Sequence, residues 1–122
     1  MRVTLVGPCA SGKSVLAKAL QGRGYDAHQC SQEHSYVPDM WRIICKPDVL
    51  IYLDADYRTI EKRRQISWGP DRLDALNGRL RHAREHCDFY LRTDNLSEEE
   101  ALQEIITFLA RFRPQDGPSL PE

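Results

Sequence analysis

The segment Val49–Leu53 (VLIYL) holds no charged position in five residues. A strand with one polar face can leave that face in water, whereas one that is apolar throughout must be covered on both sides. The run is too short for a buried helix, and Pro47 and Asp54 bound it. Its β-branched Val49 and Ile51 favour the extended chain. A strand of this kind calls for helices on both faces of a parallel sheet, which is an α/β architecture.

The rest of the chain reads as the same alternation. Val3–Val6 is a second apolar strand, ending at Gly7. Lys13–Leu20 reads as a helix, with Val15, Leu16, Ala19 and Leu20 on one side and Gly22 and Gly24 stopping it. Tyr25–Cys30 is expected as a short strand, Ser31–Pro38 as a loop, and Met40–Cys45 as a short helix ending before Pro47. Asp56 can cap a helix over Tyr57–Gln65, and Trp68-Gly69-Pro70 breaks the chain. One helix is expected from Arg72 to His86, and a last strand over Asp88–Arg92. Ser97 with Glu100 forms a capping box, and Ala101, Leu102, Ile105, Ile106 and Leu109 give the following helix its apolar face. The expectation is a three-layer α/β/α domain with a small parallel sheet over residues 1–112. A disordered tail over 113–122, with three prolines and a glycine, would follow.

The 122 residues suffice for one core. Between Val6 and the first helix lies Gly7-Pro8-Cys9-Ala10-Ser11-Gly12-Lys13-Ser14, which matches G-x-x-x-x-G-K-[ST] at every fixed position. Each fixed residue has a chemical reason. Glycines let backbone N–H groups close around phosphate oxygens. Lys13 supplies positive charge to the β- and γ-phosphates, and the Ser14 hydroxyl suits Mg²⁺. The amino end of the helix, with Val15 in its first turn, adds its dipole. The expected ligand is ATP, or another nucleoside triphosphate, with Mg²⁺.

With this loop in place, the chain resembles the P-loop kinases of the adenylate, shikimate and thymidylate kinase type. The likeness rests on the loop, on Pro47–Asp54 before a lid helix, and on Asp88–Ser97 before an acidic helix start. The resemblance implies a P-loop NTPase fold with the loop strand near the sheet centre. It also implies lid arginines that reach the phosphates: Arg63 and Arg64 stand where such a helix would present them, and Arg72 follows the break. The chain departs from the group in two places. The stretch before Val49 is too short for the usual acceptor-binding insertion and extra strand, and the lid is reduced to about Ile66–Asp71. The resemblance therefore implies a phosphotransferase with a small-molecule or nucleotide acceptor that the sequence leaves unnamed. The alternative is a nucleotide-binding or weakly hydrolysing module with a sensor or assembly role.

Phosphoryl transfer also needs a carboxylate. Glu33, after the second strand, lies where ligands bind in open α/β sheets and is preferred. Asp54 ends an apolar strand and is the alternative, although it or Asp56 would more naturally cap the next helix. Asp26 is a third candidate. His34 can bind substrate or carry a proton, and Ser35, Tyr36, Asp39 and Trp41 are candidates for lining an acceptor pocket. His82-Ala83-Arg84-Glu85-His86 matches H-x-x-E-H, yet the few residues that follow cannot supply a third zinc ligand and the matching fold, so it reads as an ordinary charged helix face.

The net charge of −1 gives no global argument for a polyanion. Basic residues nevertheless concentrate between Arg58 and Arg84, which admits nucleic acid as a partner. Cys9, Cys30, Cys45 and Cys87 form no CxxC pair, and Met1 leads directly into a strand, so a cytoplasmic protein with free thiols is expected. No apolar run approaches the roughly 20 residues of a membrane span. Surface near Trp41 and Trp68 is a candidate for self-association.

Overall fold

The structure is a computed structural model, and it describes residues 1–8, 11–63 and 68–112. The expected tail, and the end of the helix expected to reach Gln65, lie outside these residues. So do Cys9 and Ala10 of the loop, Arg64, and part of the reduced lid.

Four strands, β1 (Arg2–Val6), β2 (Asp26–Gln29), β3 (Val49–Asp54) and β4 (Phe89–Arg92), form one sheet in the order β2-β1-β3-β4. All three pairings are parallel, with Val3 opposite Ala27 and Val49, and Ile51 opposite Phe89. The helices are α1 (Lys13–Gly22), α2 (Tyr57–Arg63), α3 (Pro70–Arg79), α4 (Arg81–His86) and α5 (Glu98–Arg111). Single turns of 3₁₀ helix at Gln32–His34 and of π helix at Trp41–Cys45 join β2 to β3.

Strand alternation divides the core between the two sheet faces. Val3, Leu5, Val49, Ile51 and Leu53 point to one face, where α1 and α5 bring Leu16, Ala17, Leu20, Ala101, Leu102, Ile105 and Leu109. Val6, Leu50 and Tyr52 point to the other, under Trp41, Leu80 and Ala83. Every residue of Val49–Leu53 is buried, as a strand covered on both sides must be. At roughly 1.5–3 kcal/mol for each large side chain removed from water, these two layers supply the driving force for folding. Ser97 and Glu100 make the full capping box at the start of α5. Asp56 accepts the Thr59 N–H at 2.8 Å and starts α2; that bond holds its carboxyl below the usual range.

Two sequence expectations are corrected. Val15 was expected on the apolar side of α1, but it is 45% exposed and Ala17 completes the buried stripe instead. The single helix expected over Arg72–His86 is two helices, starting at Pro70 and parting at Leu80. There the Leu80 N–H is shared between the carbonyls of Leu76 (3.2 Å) and Asn77 (3.1 Å), which tightens the turn. The preceding Asn77-Gly78 holds a helix weakly. The break lets Leu73 pack with Ala55 and Ile60 while Leu80 and Ala83 cover the sheet.

Candidate functional site

The connection after β1 turns to one face and the connection after β3 to the other. In an open parallel sheet, the crevice outside the carboxyl ends of two such strands is where ligands bind. Gly7 and Pro8, and after them Ser11–Ser14, lie at that crevice. Gly7 has φ +153°, and a Cβ placed there would come within 2.1 Å of the Leu53 carbonyl oxygen and 2.9 Å of Ser11 Oγ. Only glycine lets the loop pass this close to β3. Gly12 (φ +105°) then turns the chain into α1, whose amino end carries no side-chain cap and no acidic residue in its first turn. Those backbone N–H groups and the helix dipole make the end of α1 suited to an anion.

Lys13, in the first turn of α1, arches back over the loop and is only 7% exposed. Its ammonium donates to the Gly7 carbonyl at 2.6 Å and pairs with the Glu33 carboxylate. The other carboxylate oxygen of Glu33, Oε1, is buried without a hydrogen-bond partner, as is Ser11 Oγ. Glu33 sits on the 3₁₀ turn after β2, and that turn is held rigidly. Gln32, fully buried, donates to the carbonyls of Val37 (2.8 Å) and Arg79 (3.2 Å) and accepts the Trp41 N–H (2.8 Å). Arg79 in turn donates to the Glu33 carbonyl at 3.2 Å.

A cavity of about 540 Å³ opens beside this pair, lined by Gly12, Lys13, Ser14, Val15, Gln29, Ser31, Glu33, His34, Arg63 and Glu98. The exposed Val15 thus faces the cavity, consistent with its turning away from the core. Arg63, at the end of α2, donates to the hydroxyl of Thr93 (3.0 Å) and to its carbonyl. The Thr93 hydroxyl is 3.1 Å from the Ser11 carbonyl and 3.2 Å from that of Asp54, so it ties the loop to β3 and to Arg63. His34 is exposed, with its Nε2 3.8 Å from the Glu33 carboxylate.

The structure therefore gathers Lys13, Ser14, Val15, Gly12, Glu33 and Arg63 around one space. Glu98 lines the same space, while the other carboxylates expected from the sequence to serve the metal, Asp54 and Asp26, lie elsewhere. Asp54 points to the opposite sheet face, where it accepts the Ala55 N–H at 2.9 Å and the Tyr90 hydroxyl. Asp26 pairs with His28 at 2.6 Å at the amino end of β2, away from the crevice. Arg72 is exposed near the start of α3 and does not line the cavity. Ser35 binds the Val37 N–H, and Tyr36, 84% exposed, lies under the Arg79 guanidinium at 4.3 Å. Asp39 pairs with Arg42, which lowers its carboxyl. None of these three, nor Trp41, reaches the cavity.

Trp41 is buried in the core, and Trp68 is half-buried against Tyr57. The exposed apolar side chains near Trp41 are Tyr36, Val37, Ile43 and Ile44. The Trp41 indole N–H donates to His82 Nδ1 at 3.1 Å. Nδ1 is thereby engaged as an acceptor. His82 and His86 stack with ring centroids 4.2 Å apart, and His86 Nδ1 lies 2.8 Å from the His82 carbonyl. The basic stretch is divided: Arg79 is engaged with Tyr36 and the Glu33 turn, Arg81 pairs with Glu85, and Arg84 lies over Tyr90. No helix among the described residues is long and apolar enough to cross a membrane.

Thr93 and Glu98 were not singled out from the sequence. Both follow β4 at the same sheet edge, and their place at a strand's carboxyl end was the available signal. Neither a protein-family model nor a curated protein sequence matches this chain.

Proposed function

We propose that the chain is a minimal P-loop phosphotransferase that binds ATP with Mg²⁺ on the Gly7–Ser14 loop. The observation that carries this reading is Lys13, a buried ammonium held over a glycine-rich turn at the uncapped start of a helix. Burying a lysine is costly unless its charge is matched. A site that concentrates a lysine, helix N–H groups and a glycine turn on one point is matched to phosphate.

The residues present fit the metal as well. Magnesium takes few protein ligands, typically one or two carboxylates with the substrate phosphates and water supplying the rest. Ser14 at the cavity wall and the unpartnered Glu33 Oε1 provide such donors. When bound, the ion would neutralise phosphate charge. Lys13 would hold the terminal phosphates, and Arg63, anchored through Thr93, would add a guanidinium to the same space. Glu33 would serve the metal or orient the acceptor.

Calorimetric titration with ATP and MgCl₂ tests the binding. Replacing Lys13 with alanine is expected to weaken it about 10- to 100-fold, the worth of a charge-assisted hydrogen bond. A coupled assay against nucleosides, nucleotides and small hydroxy compounds tests the transfer. ATP consumption no higher than that of the Lys13→Ala protein, with every acceptor, would remove the enzyme claim. A second reading, a nucleotide-binding module with little turnover, is favoured by the positions of Tyr36, Asp39 and Trp41, which leave the 35–41 segment off the cavity. Tight binding without turnover would select it.

A further inference from the structure

We infer that Glu33 is a latch on Lys13, so that nucleotide can engage the lysine only as a divalent cation draws the carboxylate away. The inference rests on the nucleotide reading and concerns the order imposed on that site.

Lys13 and Glu33 form an ion pair in which the two side chains are 8% and 5% exposed. In a buried setting, one ammonium cannot serve two anions well. A triphosphate arriving at the start of α1 must compete with Glu33 for Lys13, and the displaced carboxylate would then face phosphate across a space of low dielectric. The turn cannot simply swing away, because Gln32 and Arg79 fix its backbone to the Val37, Arg79 and Trp41 segments. Only the side chain of Glu33 is free to respond. Its Oε1 is buried without a hydrogen-bond partner while Oε2 holds the lysine, so a cation that recruits the carboxylate has only the bond to Lys13 to displace. A divalent ion that recruits Glu33 both frees Lys13 and removes the repulsion. Metal and nucleotide affinities are then positively linked, and by reciprocity each raises the other by the same factor.

The experiment compares ATP affinity in EDTA and in MgCl₂ for the wild type, Glu33→Gln and Glu33→Asp, by calorimetry. In the wild type, Mg²⁺ is expected to raise ATP affinity about 10- to 100-fold. Glu33→Gln removes the competing charge, and Glu33→Asp withdraws it from Lys13 by one methylene. Both are expected to bind metal-free ATP at least about 5-fold more tightly than the wild type, with the Mg²⁺ enhancement sharply reduced in Glu33→Gln. Metal-free affinity that is unchanged or weaker in both folded variants, while the wild type binds ATP with Mg²⁺, would overturn the latch and leave the nucleotide reading intact. No ATP binding by any of the three proteins, with or without metal, would overturn the nucleotide reading and the latch together. Should circular dichroism show both variants unfolded, the wild type carries the test through carbon-13 labelling of the glutamate carboxyls. The Glu33 resonance is expected to shift when MgCl₂ is added to the ATP-saturated protein, and an unmoved resonance at saturation would overturn the latch.

Discussion

A glycine can be placed for its backbone or merely tolerated, and this chain holds both kinds. Gly7 sits at φ +153° with the Leu53 carbonyl oxygen occupying the place of a side chain, 2.1 Å from where a Cβ would stand. Neither that carbonyl nor the strand behind it can retreat without disturbing the β3 pairing. Gly78, on the exposed surface of α3, meets nothing within 4 Å. Gly7→Ala is therefore expected to cost more than about 4 kcal/mol, the range of severe backbone and packing defects, or to prevent folding. Gly78→Ala should instead stabilise by about 0.5–1 kcal/mol, the helix-propensity difference. Urea unfolding of the two variants checks this, and a mild Gly7→Ala would mean the loop does not pass so close to β3.

Among the elements, the loop after β1 is held by residues far away in sequence. Thr93, from the end of β4, reaches the Ser11 carbonyl, and the same hydroxyl accepts from Arg63 of α2. Thr93→Val keeps the shape and deletes the hydroxyl, so the Ser11 carbonyl loses its tie to β4 and Arg63 loses one of its two bonds to Thr93 while keeping the one to the backbone carbonyl. The expected loss is about 1–3 kcal/mol, read as a lower urea midpoint. A midpoint equal to wild type would show that this tie does not hold the loop. The contrast with what the sequence made legible is instructive. The strands at Val3–Val6 and Val49–Leu53, the start of α1, and the Ser97–Glu100 cap are local patterns, and reading along the chain finds them. The gathering of Glu33 with Lys13 was foreseeable only as far as both lie at the carboxyl edge of the sheet; their pairing depends on the turn that Gln32 fixes. The break at Leu80 was hidden because Leu73, Leu76, Leu80 and Ala83 keep helical spacing across it, while the partners that draw them apart belong to other elements. Thr93 gave no motif, since a hydroxyl after a strand says nothing until the loop it clamps is in view.

For the molecule as a whole, covering both faces of a small sheet buries groups that can lose a proton in alkali. Burial, and next to it the neighbouring Cys45, pushes the Cys30 thiol from 9.0 up to about 12. Burial raises the Tyr52 phenol above its ordinary value of 10.0, with the Asp54 carboxylate adding to the effect. Tyr90 moves the same way, through burial and its bond to Asp54. In the unfolded chain these groups ionise near their ordinary values, so above about pH 9 the unfolded state binds fewer protons than the folded one. Stability must then fall as pH rises from about 9 to 12, and these groups contribute no pH dependence below that window. Urea midpoints at pH 8, 10 and 11 are expected to decline steadily. Tyr52→Phe removes one buried phenol without opening a cavity, so its decline should be shallower. A wild-type midpoint that holds constant to pH 11 would show that these groups ionise in place, and that the second face of the sheet is open to water rather than sealed by Trp41, Leu80 and Ala83.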